Sequence, residues 1–253
     1  MENTNKYLNN KRVNILGINV DSLTMKETIA EVEKYVQDKK FLHLMGVNAD
    51  KVLQCIDSPQ FKNLVNSCDI INADGISLVL ASKLLGNPLP ERVAGIDLML
   101  ELIKQAEINK KTIYFLGAKQ EIVERTVKNI QKNFPDVNIV GYRNGYFKKD
   151  EWKDISNNLK ELSPDYIFVG ITSPLKEEII YFLENEGNTG VFMGVGGSFD
   201  VLSGSIKRAP ILVQKLNLEW LFRISQEPRR LFKRYLFGNF RFIYLVLVRK
   251  LRK

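Results

Sequence analysis

Short apolar runs alternate with stretches of helical periodicity along most of this 253-residue chain, and this alternation restricts the possible folds more than any other feature. The predicted strands are 13–20, 42–47, 70–72, 112–116, 138–142, 166–170 and 191–195. Helical spacing is found between them at 76–85, 98–108 and 123–134. Strands that alternate with helices usually pair in parallel, because each crossover helix covers a face of the sheet. The sequence therefore predicts an α/β, Rossmann-like fold with a mostly parallel sheet and helices on both faces.

The first helix has a clear start signal. Thr24 and Glu27 have the spacing of a capping box, in which each side chain accepts a hydrogen bond from the other residue's backbone N–H. Ile29, Val32 and Val36 follow on one helical face. We therefore expect a helix that begins directly after Thr24.

Loops with glycine follow several predicted strands, at the sheet edge where α/β proteins bind ligands. One of them contains Gly194, Gly196, Gly197 and Ser198. Glycines there allow backbone N–H groups to approach a phosphate at a helix N-terminus. Strand ends also use glycine for turns alone, and the third glycine of a dinucleotide fingerprint is missing because Phe199 follows. Phosphate binding and simple turn formation both remain open for this loop.

Asp74 follows a predicted strand and precedes Gly75. It could cap a helix that begins near Ile76, or it could be a general base that accepts a proton from a sugar hydroxyl. The single histidine, His43, lies in an apolar strand, which favours a role in the core over catalysis.

The sequence contains no recognisable motif for a metal site or a bound cofactor. No His/Cys cluster with zinc-ligand spacing occurs, and neither does the Asp-x-Asp pattern that could hold a divalent ion on a diphosphate. We therefore predict no metal site and no cofactor. Negative charge on a leaving group would then be stabilised by arginine, lysine or backbone amides, and Arg92, between proline and glycine turn residues, is a candidate.

Basic residues are concentrated at the C-terminal end. Residues 205–253 contain thirteen Lys or Arg and two Glu, a net charge of +11, whereas the whole chain carries +8 and the preceding residues therefore −3. The chain is accordingly predicted to comprise an α/β core at 1–204 and a basic helical appendage at 205–253. Bulky apolar residues lie among these cations at helical spacing, which favours an anionic membrane surface over nucleic acid as the partner. Two cysteines and an N-terminus without an apolar signal stretch favour a cytoplasmic, peripheral location.

Several ordered motifs resemble the WecG/TagA/CpsF family, glycosyltransferase family 26. They are NADG at 72–75, PLPERVAGID at 88–97, GYRNGYF at 141–147 and GVGGSFD at 194–200, followed by KRAP at 207–210, LEWLFR at 218–223 and EPRR at 227–230. The resemblance extends from about residue 13 to residue 234. It implies a glycosyltransferase whose tail is a membrane-targeting appendage that also completes the active site.

The family's activity supplies further expectations. The resemblance implies an inverting, metal-independent transfer of an N-acetylhexosamine, typically N-acetylmannosamine, from UDP to the 4-hydroxyl of N-acetylglucosamine on undecaprenyl diphosphate. The product would enter a cell-wall polymer or surface polysaccharide. Asp74 matches the family's catalytic base, and Asn48 matches an asparagine that helps to hold the acceptor or the base. Arg92 matches an arginine near the sugar nucleotide, while Arg223 and Arg230 match tail arginines that close over the diphosphate.

Two positions depart from the family pattern. Gly46 stands where the family often has threonine, and Lys176, followed by Glu177, stands where it often has glutamine. Both departures are expected to face the cleft and to alter recognition of the sugar. Another UDP-sugar, such as a UDP-hexose or a UDP-uronic acid, therefore remains an alternative donor. A nucleotide-binding regulatory module without transfer activity is a further alternative, and assembly into a homo-oligomer is left open.

Overall fold

The computed structural model describes residues 11–252, apart from the side chains of residues 230, 231 and 233–235. Its strands are β1 (Arg12–Ile15), β2 (Ile18–Asp21), β3 (Phe41–Val47), β4 (Ile70–Ala73), β5 (Thr112–Gly117), β6 (Asn138–Arg143), β7 (Tyr166–Gly170) and β8 (Gly190–Gly194). The last six form one parallel sheet in the order β4-β3-β8-β7-β5-β6. This confirms the predicted α/β architecture.

Helices connect the strands and continue beyond the last one. They are α1 (Met25–Gln37), α2 (Ala49–Asp57), α3 (Pro59–Asn66), α4 (Ile76–Leu84), α5 (Gly95–Ile108), α6 (Gln120–Asn133), α7 (Trp152–Leu162), α8 (Leu175–Asn185), α9 (Ser198–Leu202), α10 (Ile211–Lys215), α11 (Glu219–Gln226) and α12 (Pro228–Leu251). A 3₁₀ turn, Lys149–Glu151, precedes α7. The capping box at Thr24 and Glu27 is confirmed at the start of α1.

Both faces of the sheet are covered, as the burial of β5 illustrates. Ile113 and Phe115 pack in a core cluster with α1, α5 and α6, whereas Tyr114 and Leu116 pack in a second cluster with α7 and α8. Successive side chains of a strand point to opposite faces, so these two clusters lie on opposite sides of the sheet. A third cluster joins α2, α3, α4 and α12 to the β1 and β2 strands.

The prediction of a single strand at 13–20 was wrong. β1 and β2 form a separate antiparallel hairpin in which Ile15 pairs with Ile18. Leu16 and Gly17 make the turn, with φ angles of 52° and 93°. Two consecutive positive φ angles suit a two-residue hairpin turn, but leucine at the first position is not a usual turn residue, so no local pattern indicates the reversal.

The helical appendage after β8 is confirmed, and α12 packs against the core along part of its length. Phe242 and Val246 are 2% and 3% exposed and belong to the cluster that contains α2. Arg241 donates two hydrogen bonds to Asp57 at the end of α2. The other side of α12 exposes large apolar side chains, namely Phe232, Leu236, Phe237, Phe240, Ile243, Tyr244, Leu247 and Leu251. One side of α12 thus packs against the core, and the opposite side exposes apolar side chains.

The core cluster that holds α12 also contains the two cysteines of the chain. Cys55 and Cys68 are unpaired thiols in the same cluster as Phe242. Burial raises the pKa of Cys55 to about 11 and raises that of Cys68 well above its ordinary value.

Within residues 11–252, no helix combines the length and the apolar composition needed to cross a bilayer.

Candidate functional site

Asp74 lies directly after β4 and is fixed by its neighbours. Its backbone N–H donates to the Val47 carbonyl at 2.9 Å, and its Oδ1 accepts from the Gly95 backbone N–H at 2.8 Å. Oδ2 accepts no hydrogen bond from the described residues, and the side chain is partly exposed. The alternative that Asp74 caps the helix starting at Ile76 is wrong, because Gly75 is the N-cap there without a side-chain bond. The carboxylate instead accepts a hydrogen bond from the first residue of α5 through Oδ1 and leaves Oδ2 available.

Gly46 and Asn48 flank Asp74 from β3. A Cβ atom on Gly46 would lie 3.1 Å from the Asp74 Cβ and 3.9 Å from Oδ2, so any side chain there would crowd the carboxylate. The Asn48 Oδ1 accepts from the Lys51 backbone N–H at 3.0 Å and caps α2. A Cβ on Gly75 would lie 3.0 Å from the Asn48 Cβ, which places the two loops in contact. The structure therefore brings Gly46, Asn48 and Asp74 together.

The glycine loop after β8 is an open turn. Gly196 has a φ of +52°, and the amides of Gly196 and Gly197 donate to none of the described residues. Ser198 differs from the prediction, because its hydroxyl is buried and donates to the Val195 carbonyl at 2.8 Å. The glycine amides are thus available to an anion, whereas the serine side chain stabilises the turn.

Lys176 and Glu177 lie beneath this loop rather than in an open cleft, so the expectation that position 176 faces the cleft was wrong. Lys176 is 5% exposed and Glu177 is completely buried. A Cβ on Gly194 would come within 2.7 Å of the Lys176 Cε, so a side chain there would displace the end of this lysine. The Glu177 Oε1 accepts from the Lys51 Nζ at 2.5 Å and lies 3.4 Å from the Lys176 Nζ. Two ammonium groups therefore share one carboxylate below the end of β8.

The pKa values of the group formed by Lys51, Lys176 and Glu177 are shifted by burial and by their charges. Burial and, to a smaller extent, the Lys51 ammonium lower the pKa of Lys176 to about 8, although Glu177 opposes the change. Burial alone would raise the pKa of Glu177, but the ammonium groups of Lys176 and Lys51 hold it at about 2. Burial also lowers the pKa of His43 to about 3, which agrees with its predicted place in the core.

The Lys176 pKa predicts a pH dependence of stability. The ordinary lysine pKa is 10.5 and the folded-state pKa is about 8, so between these values the unfolded chain binds more protons and stability rises with pH. We expect the free energy of unfolding of Lys176→Gln, relative to that of the parent, to fall by roughly 3 kcal/mol between pH 7 and pH 10.5, because only the parent gains stability over this range. Urea unfolding of both proteins from pH 7 to pH 10 measures this, with Lys104→Gln on the exposed side of α5 as the control. Parallel stability curves for Lys176→Gln and the parent would contradict the assignment.

Arg92 connects the Asp74 loop to the appendage. Its Nε donates to the Asp74 carbonyl at 2.9 Å, and its two terminal nitrogens donate to Asn217 at 3.0 Å and to Glu219 at 2.5 Å. The guanidinium thus reaches the predicted cleft, but in this structure it is paired with a carboxylate from the appendage. Arg223 is exposed at a small pocket between α5, α9 and the appendage. Arg230 lies on α12, and its side chain is outside the described residues.

Lys51 and Glu219 belong to this region but were not identified from the sequence. Lys51 pairs with a residue 126 positions away, and Glu219 with one 127 positions away, so no local pattern relates the partners. In the described part of the chain, no three or more His, Cys, Asp or Glu residues are grouped to hold a metal ion. The arrangement offers one open carboxylate, two free amides and several cations, which suits transfer of a group away from a phosphate leaving group.

Comparison with known proteins gives a consistent result. The sequence profile described as Glycosyl transferase WecG/TagA/CpsF family matches residues 13–253. A Staphylococcus aureus (strain MW2) protein named N-acetylglucosaminyldiphosphoundecaprenol N-acetyl-beta-D-mannosaminyltransferase is 34% identical over 225 residues, 88% of each chain. A Bacillus spizizenii protein of the same name is 33% identical over 196 residues, 78% of this chain and 76% of the relative.

Proposed function

The chain belongs to the WecG/TagA/CpsF family of glycosyltransferases, and from this membership we propose that it transfers an N-acetylhexosamine from a UDP-sugar to a lipid-linked acceptor. N-acetylmannosamine is the proposed sugar, and the 4-hydroxyl of N-acetylglucosamine on undecaprenyl diphosphate is the proposed acceptor group. The names of the two relatives support the transferred sugar and the acceptor.

The observation that carries this proposal is the Asp74 carboxylate, held through Oδ1 by the Gly95 amide and open at Oδ2. In the proposed step, Oδ2 accepts the proton of the acceptor hydroxyl as that oxygen bonds to the anomeric carbon. The bond between the anomeric carbon and the phosphate oxygen breaks, and UDP leaves with the electron pair. Attack from the side opposite UDP inverts the anomeric centre.

Charge on the departing UDP needs stabilisation by groups already in place. The free amides of Gly196 and Gly197 are suited to the diphosphate, and the buried Lys176 ammonium adds positive charge below them. Arg92, Arg223 and Arg230 are the proposed arginines. Arg92 would exchange its bond to Glu219 for one to phosphate, while Asn48 supports the acceptor side through its contact with the Asp74 loop.

The decisive experiment is incubation with a panel of UDP-sugars and a synthetic N-acetylglucosamine acceptor on a lipid diphosphate, with product mass, linkage and anomeric configuration determined. We expect transfer from UDP-N-acetylmannosamine with inversion. Transfer only from a UDP-hexose or a UDP-uronic acid would reassign the donor, consistent with the unusual Gly46 beside Asp74. Binding of UDP without transfer of any sugar would instead favour the regulatory module.

Metal independence is the next expectation, because the chain lacks Asp-x-Asp and offers amides and cations for the diphosphate. Initial rates should be unchanged within about twofold when excess EDTA is added. A commercial metal-dependent transferase assayed in the same buffer would verify that the chelator works. Loss of activity that Mg²⁺ or Mn²⁺ restores would overturn both this expectation and the proposed position of the diphosphate.

The appendage is proposed to hold the enzyme on the cytoplasmic surface of the membrane. Its exposed apolar side chains lie on the side of α12 opposite the anchored Phe242 and Val246, among the cations that give 205–253 its net charge of +11. Anionic lipids attract each nearby Lys or Arg by about 1 kcal/mol, and inserted apolar side chains add burial. Chemistry would then take place beside the lipid carrier.

A further inference from the structure

The buried group of Lys51, Lys176 and Glu177 joins the ends of three neighbouring strands, β3, β8 and β7. Lys51 belongs to the first turn of α2, which follows β3, whereas Lys176 and Glu177 belong to the first turn of α8, which follows β7. The Lys176 side chain lies against Gly194, the last residue of β8, where a Cβ atom would be 3.3 Å from its Nζ. Three segments that are distant in sequence thus meet in one charged cluster.

The Glu177 carboxylate is paired more closely with Lys51 than with Lys176. Its Oε1 accepts from the Lys51 Nζ at 2.5 Å and from the Ser173 hydroxyl at 2.9 Å, whereas the Lys176 Nζ is 3.4 Å away, beyond the usual hydrogen-bond distance. In residues 11–252, neither ammonium group forms an ion pair with a second carboxylate. Two positive charges against one negative charge leave an excess of one, which lies mainly on Lys176.

This excess charge lies next to a turn with free amides. The Lys176 side chain is only 7% exposed, so water stabilises its charge poorly, and an anion bound nearby would offset the cost. Gly196 and Gly197 follow Gly194 by two and three residues, and their amides donate to none of the residues that the structure describes. The cluster and the amides therefore favour a bound anion at the same place.

From this arrangement we propose that Lys51 is a positioning residue for donor binding, because it occupies the Glu177 carboxylate and so leaves the Lys176 charge free to attract the donor diphosphate at Gly196 and Gly197. Lys51 itself does not touch the substrate. This inference rests on the proposed function, which places the diphosphate at that turn. The chemical class that responds to the cluster is a nucleoside diphosphate, whereas an uncharged nucleoside should not respond.

Replacement of Lys51 by methionine tests the inference with UDP and uridine as probes. Methionine keeps an apolar side chain beside Met45 and Phe61, and its substitution frees Glu177 for Lys176, so the cluster becomes neutral. One unit charge about 10 Å from a phosphate changes affinity roughly tenfold at an effective dielectric constant of about 20. We therefore expect the Kd for UDP at pH 7 to rise at least about fivefold and the Kd for uridine to change by less than about twofold.

Two further variants complete this comparison. Lys51→Arg keeps the positive charge and should recover most of the UDP affinity. Lys104→Met removes the same charge on the exposed side of α5 and should change neither constant. NMR titration of the full-length protein measures both ligands, because it also detects weak binding.

The pH dependence of binding supplies a readout in the parent protein. His43 of β3, Lys51 of α2 and Glu177 of α8 are the charged or titratable groups that act on Lys176 or are acted on by it. The pKa values of His43 and Glu177 are about 3 and about 2, so neither group changes its charge above pH 7. Lys176, with a pKa of about 8, loses its charge in the free protein as the pH rises.

Affinity for UDP should consequently fall by about fivefold between pH 7 and pH 9, where the phosphates of UDP stay ionised, while affinity for uridine stays level. In Lys51→Met the fall should begin at a higher pH, because the ammonium that lowers the Lys176 pKa is gone.

Each outcome has a definite meaning. Equal losses of UDP and uridine affinity in Lys51→Met would reduce Lys51 to a structural residue and overturn the inference. A UDP affinity that does not change with pH in the parent would overturn it as well, even if the variant failed to fold. Absence of UDP binding by the parent would overturn both the inference and the proposed function. If UDP binds with the expected changes but no sugar is transferred from any donor, only the proposed function fails.

Discussion

Replacement of Asp74 by asparagine is expected to lower kcat by two to four orders of magnitude, the usual contribution of a positioned general base. Asparagine has nearly the same shape, and its amide oxygen can still accept the Gly95 N–H, so the loop should keep its conformation. An amide cannot take up a proton at neutral pH, so only proton transfer is lost. Turnover of saturating donor and acceptor, measured with purified full-length protein, gives the effect directly.

Two controls separate catalysis from folding in this experiment. Asp136→Asn makes the same chemical change at an exposed position near β6 and should leave kcat unchanged. The midpoint of thermal unfolding and the Kd for UDP should be similar in Asp74→Asn and the parent. Near-normal turnover of Asp74→Asn would mean that the carboxylate only connects β4 to α5.

Replacing exposed apolar side chains of α12 is expected to weaken membrane binding by a factor comparable to the loss of kcat in Asp74→Asn. Phe237, Phe240 and Tyr244 are 68%, 67% and 65% exposed, and their spacing places them on one side of the helix. Full burial of one such side chain contributes about 1.5–3 kcal/mol, so replacing all three with serine should weaken partitioning into anionic vesicles by roughly two orders of magnitude or more. Vesicle co-sedimentation over a range of lipid concentrations measures the change.

The same triple variant tests whether docking and chemistry are separable. Phe242, Val246 and the Arg241–Asp57 ion pair remain in place, so α12 should stay anchored to α2. Transfer to an acceptor in vesicles should fall with membrane binding, whereas transfer to a soluble short-chain acceptor should persist. Serine at Ile108 and Tyr181, exposed positions on α5 and α8, is the control for general loss of apolar surface. Unchanged vesicle binding by the triple variant would place the membrane contact elsewhere.

Much of the fold could be read from the sequence because its signals are local. Buried strands such as β5 and β7 are continuous apolar runs, and α1 begins with a capping box within four residues. The β1–β2 hairpin was missed because Leu16 occupies a turn position that usually requires glycine or asparagine. The helices α2 and α3 were also missed, although 22 residues separate β3 from β4.

The candidate site was predictable only in part, for a physical reason. Asp74 and Asn48 stand at strand ends, and parallel pairing of β3 and β4 brings those ends together. The burial of Lys176, its sharing of Glu177 with Lys51, and the pairing of Arg92 with Glu219 depend on packing between distant segments. A charged residue in a sequence is normally assumed to be solvated, so its burial appears only once the neighbouring elements are placed.

The two buried thiols can report the opening of the core cluster that contains Phe242 and Val246 of α12. Cys55 and Cys68 share a core cluster with Phe242 and Val246, and their raised pKa values keep the reactive thiolate scarce. A thiol reagent can therefore modify them only in molecules in which this core cluster has opened, so the modification rate reports the population of that open state. Following this rate with and without vesicles would show how often this cluster opens in each condition.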